Sequence, residues 1–289
     1  MRVLLAGCGY VGLSLGAELA RRGHEVFGLR RTCRAAEELK SAGIEPLAGD
    51  VTQPRTLARL PAGYDWVVDC VSASGGGPSE YRAVYLEGAR NLIEWLSAAP
   101  PRKFVYTSST SVYGQNDGSP VDEASSAEPS AETAKVLVAT EGILLGAART
   151  RGFPAVILRV AAIYGPGRGY WFKQMLSGEA RLEAGGGRFL NMIHRDDVAG
   201  AVIAALQRGR PGETYNAVDD EPVTQLEFFQ WLCGKTGRPL PAAAAEGSEA
   251  RKRGAANKRV SNRKLKQELG YEFKFPTFRE GYIELLAGL

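Results

Sequence analysis

The chain begins with a short apolar run, residues 3–6, that stops at Gly7-Cys8-Gly9-Tyr10-Val11-Gly12, with Gly16 four residues further on. A strand that turns inside a Gly-x-Gly-x-x-Gly pattern and restarts as a helix needs glycine for three purposes. These are the tight turn, close approach of a pyrophosphate to the backbone, and close packing of helix on strand. Free amides at the helix start would then face the phosphates. The spacing therefore predicts a dinucleotide-binding turn with Gly7, Gly9, Tyr10, Val11 and Gly12 as its contacts.

The first half of the chain repeats the same rhythm. Apolar, β-rich runs at 25–29, 44–48, 66–71 and 103–107, and a sixth at 155–160 after a helical stretch at 131–151, alternate with segments long enough for crossover helices. Such repeats imply a parallel sheet covered on both faces, an α/β fold of the Rossmann-type doubly wound class. From about residue 165 the rhythm breaks at Gly165-Pro166-Gly167 and Gly185-Gly186-Gly187. Helices are expected at 196–206, 223–233, 261–269 and 277–286, with a surface loop at 239–257. The division expected is a dinucleotide-binding domain over 1–164 and a smaller substrate-binding lobe over 165–289, interleaved with it.

The end of the second strand bears on which dinucleotide binds. NAD binders place an acid about 20 residues beyond the turn to hold the ribose 2′-hydroxyl. Here Leu29-Arg30-Arg31 occupies that place, and two guanidiniums suit a 2′-phosphate. NADP is the expected cofactor, with NAD as the alternative. Asp50 is a candidate for the adenine edge or, more blandly, a turn cap beside Thr52. Val51, Val71 and Ser72, at the ends of the third and fourth strands, complete the expected cofactor contacts.

Composition narrows the function class. The formal charge is +4, but eight of the 36 basic residues lie between 251 and 266 with no acid among them, so the remaining chain is net acidic. That segment lacks an aromatic residue for stacking on bases, and its distal half reads as a capped helix with solvated lysines; a nucleic-acid partner is not expected. A second option leaves the segment reaching the cleft to bind a substrate phosphate. Cys8, Cys33, Cys70 and Cys233 form no Cys-x-x-Cys pair, and only His24 and His194 are present, so neither a disulfide framework nor a metal site is expected and a reducing cytoplasm fits. No run approaches the roughly 18 apolar residues of a membrane span.

Four further stretches give the chain a family likeness. Tyr106-Thr107-Ser108-Ser109-Thr110-Ser111-Val112-Tyr113-Gly114, Leu158-Arg159-Val160-Ala161-Ala162-Ile163-Tyr164-Gly165-Pro166-Gly167, Asn191-Met192-Ile193-His194-Arg195-Asp196-Asp197-Val198-Ala199 and Thr214-Tyr215-Asn216-Ala217 occur in the order and context of the extended short-chain dehydrogenase/reductases. The chain resembles their NAD-dependent epimerase/dehydratase type, in an atypical form. The resemblance implies an oxidoreductase or epimerase/dehydratase transferring hydride at a nicotinamide, acting on a nucleotide sugar or related carbonyl compound. It also implies a homodimer formed through helices flanking the sheet.

The family's working set is an asparagine, a serine or threonine, and a Tyr-x-x-x-Lys pair whose tyrosine is the general acid or base. Ser109 matches the serine. The asparagine position falls on Tyr85; taking Lys135 as the lysine puts Ala131 at the tyrosine, and registering the helix on Glu141 puts Thr133 and Leu137 at the pair. An aliphatic hydroxyl is a poor substitute for a phenol as an acid or base. Tyr85, Lys135 and Glu132 are the candidate replacements, with Ser109 orienting a carbonyl. Tyr164 and Tyr170 are candidate cleft residues, and His194 is expected to hydrogen-bond at the start of a helix that Asp196 and Asp197 cap. The competing expectation is a dinucleotide-binding sensor that has kept the cofactor turn and lost turnover.

Overall fold

Side chains alternate across a strand, so a run that is apolar throughout must be buried on both faces. In the first strand Val3 and Leu5 enter one core and Leu4 and Ala6 the other. The computed structural model describes residues 1–32, 36–75, 77–244 and 256–288. Seven strands form one sheet: β1 (Arg2–Ala6), β2 (Glu25–Arg30), β3 (Ile44–Ala48), β4 (Trp66–Asp69), β5 (Lys103–Ser109), β6 (Ala155–Val160) and β7 (Thr214–Ala217). Their order is β3-β2-β1-β4-β5-β6-β7, and every pairing is parallel. The doubly wound parallel sheet expected from the rhythm is present.

Helices Tyr10–Arg21 and Arg195–Arg208 cover one face through Leu15, Leu19, Val198 and Val202; Gly88–Leu96 and Glu132–Arg151 cover the other through Leu92, Leu96 and Leu144. The chain leaves the sheet after β6, builds much of a second layer of structure, and returns through Arg195–Arg208 to β7. A third core of Tyr164, Phe172, Phe228, Phe229, Phe278 and Tyr282 lies in that excursion and the C-terminal helices.

Helix ends follow their capping residues. Thr224 and Thr277 each form a capping box with the glutamate three residues on, so the helices, Gln225–Thr236 and Phe278–Ala287, start two residues and one residue later than their apolar patterns suggest. At Arg195–Arg208 the cap is the His194 imidazole, whose Nδ1 accepts from the Asp196 amide at 3.2 Å. Asp197 does not cap that helix, contrary to expectation. Its carboxylate accepts from the Tyr271 hydroxyl and the Lys274 and Phe275 amides, tying down the C-terminal segment. Of the loop expected at 239–257, residues 245–255 lie outside the described residues, as do Cys33 and the basic Arg251, Lys252 and Arg253.

Candidate functional site

The glycine turn sits at the carboxyl end of β1, where ligands gather in open α/β sheets. Gly7 has φ +85, and a Cβ there would stand 2.5 Å from the Val71 backbone. Its amide and that of Cys8 donate to the Leu29 carbonyl at 3.1 Å, fixing the turn to β2. At Gly16 a Cβ would meet the Ile44 side chain at 2.4 Å, which is the close packing of helix on sheet. Gly9 differs: the nearest atom to its Cβ position is 3.9 Å away, so no protein atom requires a glycine there. An open backbone beside the start of Tyr10–Arg21 is a cradle for a phosphate group.

Around that cradle the expected contacts divide. Val51 is buried and Val71 lies against Gly7, whereas Ser72 is exposed in the loop after β4. Val11 is half-buried and packs on the core. Tyr10 turns its side chain to the excursion after β6, donating to the Pro166 carbonyl at 3.1 Å with Arg168 and Arg195 near its ring. Asp50 caps its own turn, its Oδ1 accepting from both the amide and the hydroxyl of Thr52.

The two arginines after β2 are not equivalent. Arg30 donates to the Cys8 carbonyl and pairs with Glu38 at 2.9 Å, whereas Arg31 donates to the Ser74 hydroxyl at 2.9 Å, joining the β2 end to the loop after β4. Glu38 comes from helix Ala36–Ser41 and places a carboxylate where the sequence spacing offered none. Gly9, Tyr10, Arg30 and Glu38 line one open groove of about 890 Å³ that continues between Tyr10–Arg21 and Arg195–Arg208.

Among the described residues no hydrogen bond joins Tyr85, Ser109 and Lys135 to one another. Lys135 pairs with Glu132 at 2.7 Å, and both side chains are exposed. Ser109 ends β5, and its Oγ accepts from the Ser111 amide, a capping role at a short 3-10 turn. Tyr85 lies in a π-helical stretch, Arg82–Glu87, a geometry frequent at functional sites. Its hydroxyl accepts from the Ala73 amide at 3.2 Å, and burial pushes its pKa up, away from what a general base at neutral pH needs. Tyr164 is buried and stacks on Tyr282, with ring centroids 4.4 Å apart, making it part of the lobe core. Tyr170 is exposed.

Two buried groups beneath the crevice escaped the sequence reading. Ser108, Glu141, Arg159, Tyr113 and Asn216 form a closed polar network: Glu141 pairs with Arg159 at 2.7 Å and accepts from Ser108, while Arg159 donates to the Tyr113 hydroxyl, which donates to Asn216. The available signal was Arg159 inside an otherwise apolar strand, since arginine is almost never buried without a partner. The second is Asp69 at the end of β4, 1% exposed, whose Oδ2 has no hydrogen-bond partner. Burial pushes its carboxyl up to about 7.

A carboxyl whose folded pKa exceeds its unfolded value of about 4 is held protonated more tightly by the native state. Its contribution to stability is full below that value and is lost as pH rises through about 7. Asp69→Asn should therefore gain about 2 kcal/mol of stability relative to wild type between about pH 5 and about pH 8. Urea unfolding at the two pH values measures it; parallel curves for both proteins would refute the assignment.

The family model that matches is the NAD dependent epimerase/dehydratase family, across residues 3–217. The chain belongs to that family. It is 26% identical over 284 residues to Protein YeeZ of Escherichia coli K12, covering 95% of this chain and 96% of YeeZ. A functionally unknown conserved protein from Silicibacter pomeroyi DSS has a structure similar to this one, with TM-score 0.82, 30% identity, and coverage of 99% of this chain and 98% of that one. The dTDP-glucose 4,6-dehydratase DesIV from Streptomyces venezuelae, with NAD and TYD bound, shares the fold at TM-score 0.84 and 22% identity, with 99% and 96% covered. In neither register of the long helix is the family's Tyr-x-x-x-Lys pair complete. No helix among the described residues is long and apolar enough to cross a membrane.

Proposed function

We propose that the protein is an NADP-using oxidoreductase of this family, acting on a nucleotide sugar or related carbonyl compound held between the sheet and the segment from residue 165 onward. The observation that carries the cofactor reading is the Gly7 turn with an open Gly9 beside a helix start. When bound, the dinucleotide supplies hydride transfer. The chain's own part is to hold the pyrophosphate at the helix-start amides of Tyr10 and Val11, the Gly9 amide being taken by the Gly7 carbonyl, and to receive the adenosine end between β2 and the loop after β4.

Arg31 carries the NADP preference, because its guanidinium, donating to the Ser74 hydroxyl, stands at the adenosine end. Arg31→Ala should lower the preference for NADPH over NADH by about tenfold, the loss of one charge-assisted contact. Glu38→Gln should instead raise NADPH affinity about threefold by releasing Arg30 from an exposed ion pair. Fluorescence titration with both dinucleotides reads the two effects; an unchanged ratio in Arg31→Ala would count against NADP.

A second reading, a dinucleotide-binding sensor without turnover, rests on a specific observation. Lys135 is ion-paired to Glu132, and Ala131 or Thr133 stands where the family's tyrosine is expected. Assay of NADPH oxidation across sugar-nucleotide and simple carbonyl substrates chooses between the readings. Tight NADPH binding with no turnover on any of them selects the sensor.

A further inference from the structure

Tyr10 joins the nucleotide turn to the excursion after β6. It is the first residue of helix Tyr10–Arg21, and with Gly9 and Arg195 it lines the open groove. Its hydroxyl donates to the Pro166 carbonyl at 3.1 Å. The approach is close: a Cβ at Gly165 would stand 2.8 Å from that hydroxyl and 3.2 Å from the Arg195 Cβ. Residues 165–168 form a tight turn closed by two reciprocal backbone bonds, the Gly165 amide to the Arg168 carbonyl at 3.0 Å and the Arg168 amide to the Gly165 carbonyl at 2.9 Å. Gly167 supplies the φ of +69 that the turn requires.

Arg168 leaves this turn as an exposed residue and lays its guanidinium 5.1 Å from the Tyr10 ring centroid. Arg195 approaches the same ring at 5.3 Å. The arginines around the nucleotide turn differ in their commitments. Arg195 pairs with Asp196 at 3.0 Å, Arg30 pairs with Glu38 at 2.9 Å, and Arg31 donates to Ser74. Arg168 has no carboxylate partner among the described residues, and none of its five N–H donors meets a protein acceptor there. Attraction to the ring holds a cation without a hydrogen-bond acceptor, so the planar fork stays available.

The place of that fork decides what it can meet. Tyr10 gives its amide to the cradle at the helix start and its ring to Arg168, so one residue carries both a phosphate donor and an uncommitted cation. A pyrophosphate brings two negative charges, whereas a helix start offers only a partial positive charge. Arg195 has its own charge offset by Asp196, which leaves Arg168 as the full positive charge beside Tyr10 that no carboxylate among the described residues balances. Guanidinium and phosphate pair by charge-assisted, frequently bidentate hydrogen bonds. An exposed side chain that gives up only a ring contact can turn to such an anion without disturbing the fold.

We propose that Arg168 binds the pyrophosphate of the dinucleotide, reaching it from the turn after β6 while the Tyr10 and Val11 amides hold it from the helix. The proposal rests on the cofactor reading above and adds a second part of the chain to the cradle. It also gives dinucleotide binding a structural consequence, since the anion then fastens the 165–168 turn to the nucleotide turn. The probes are NADPH, NADH and ADP, titrated into the full chain by fluorescence for the two reduced dinucleotides and by calorimetry for ADP.

Arg168→Gln should weaken all three by about tenfold and leave the ratio of NADPH to NADH affinity unchanged, because the pyrophosphate is the part they share. Arg168→Lys, which keeps the charge and loses the fork, should bind them about threefold more weakly than wild type. Urea unfolding of Arg168→Gln should match wild type, since the exposed side chain makes no ion pair. Wild-type affinity for NADPH in Arg168→Gln overturns the proposal. A fall for NADPH alone, with NADH and ADP unchanged, also overturns it, because the guanidinium would then stand at the 2′-phosphate. Failure of the wild-type protein to bind any of the three undoes the cofactor reading, whereas wild-type binding that Arg168→Gln does not weaken undoes the Arg168 contact alone.

Discussion

Glu141→Ala should lower the free energy of unfolding by about 3–5 kcal/mol, because it strands a buried guanidinium. The pair it breaks is 2.7 Å long, with side chains 4% and 8% exposed, so water cannot replace the lost carboxylate. Ser108 loses its acceptor in the same step. The comparison that isolates the mechanism is the double variant Glu141→Leu with Arg159→Met. Removing both charges together should restore much of what the single change loses, since a buried ion pair is often no better than an apolar pair of similar volume. Urea unfolding of the two single variants and the double one forms the cycle. A loss below about 1 kcal/mol in Glu141→Ala would mean that the network is not a structural keystone between the long helix and β6.

Gly7→Ala should abolish measurable dinucleotide binding, an affinity loss of at least about a hundredfold, and destabilise the fold by about 1–3 kcal/mol. Two independent constraints act at this position. The backbone has a φ that L-residues rarely adopt, and the new methyl would be driven to 2.5 Å from the backbone of Val71. The obstruction is main chain, not the end of a flexible side chain, so relief requires β1 and β4 to separate at the crevice. Gly9→Ala provides the contrast, because its Cβ has room in the free protein. It should leave unfolding unchanged while weakening NADPH, and equal binding to wild type would remove Gly9 from the cradle.

What the sequence made legible were features encoded locally. Buried parallel strands announce themselves as apolar runs, and the glycine spacing carries its own geometry. Thr224 with Glu227 and Thr277 with Glu280 mark helix starts by a four-residue signal. Features set by contacts distant in the chain stayed hidden. Glu38 reaches Arg30 because a helix of the next unit folds back over the end of β2, and no spacing rule counts that carboxylate. Lys258 sits in a charge run that reads as solvated, yet it is buried, its carbonyl held by Asn191, 67 residues earlier. Lys135 illustrates the converse: the residue type fits a family position, but the helix rotates it to Glu132 and solvent.

The helix that starts at Tyr10 is made long before residues 195–208, and the apolar face they cover stays open until those residues have been made. Leu15 and Leu19 share their core with Val198 and Val202, and Ser14 donates to Asp196. Strands β1 to β5 can pair earlier, but closure of this apolar face must wait for a partner some 180 residues downstream, a long-range contact of the kind that slows folding. A nascent chain halted before residue 195 would thus display the nucleotide turn on a half-covered sheet, where aggregation competes with completion.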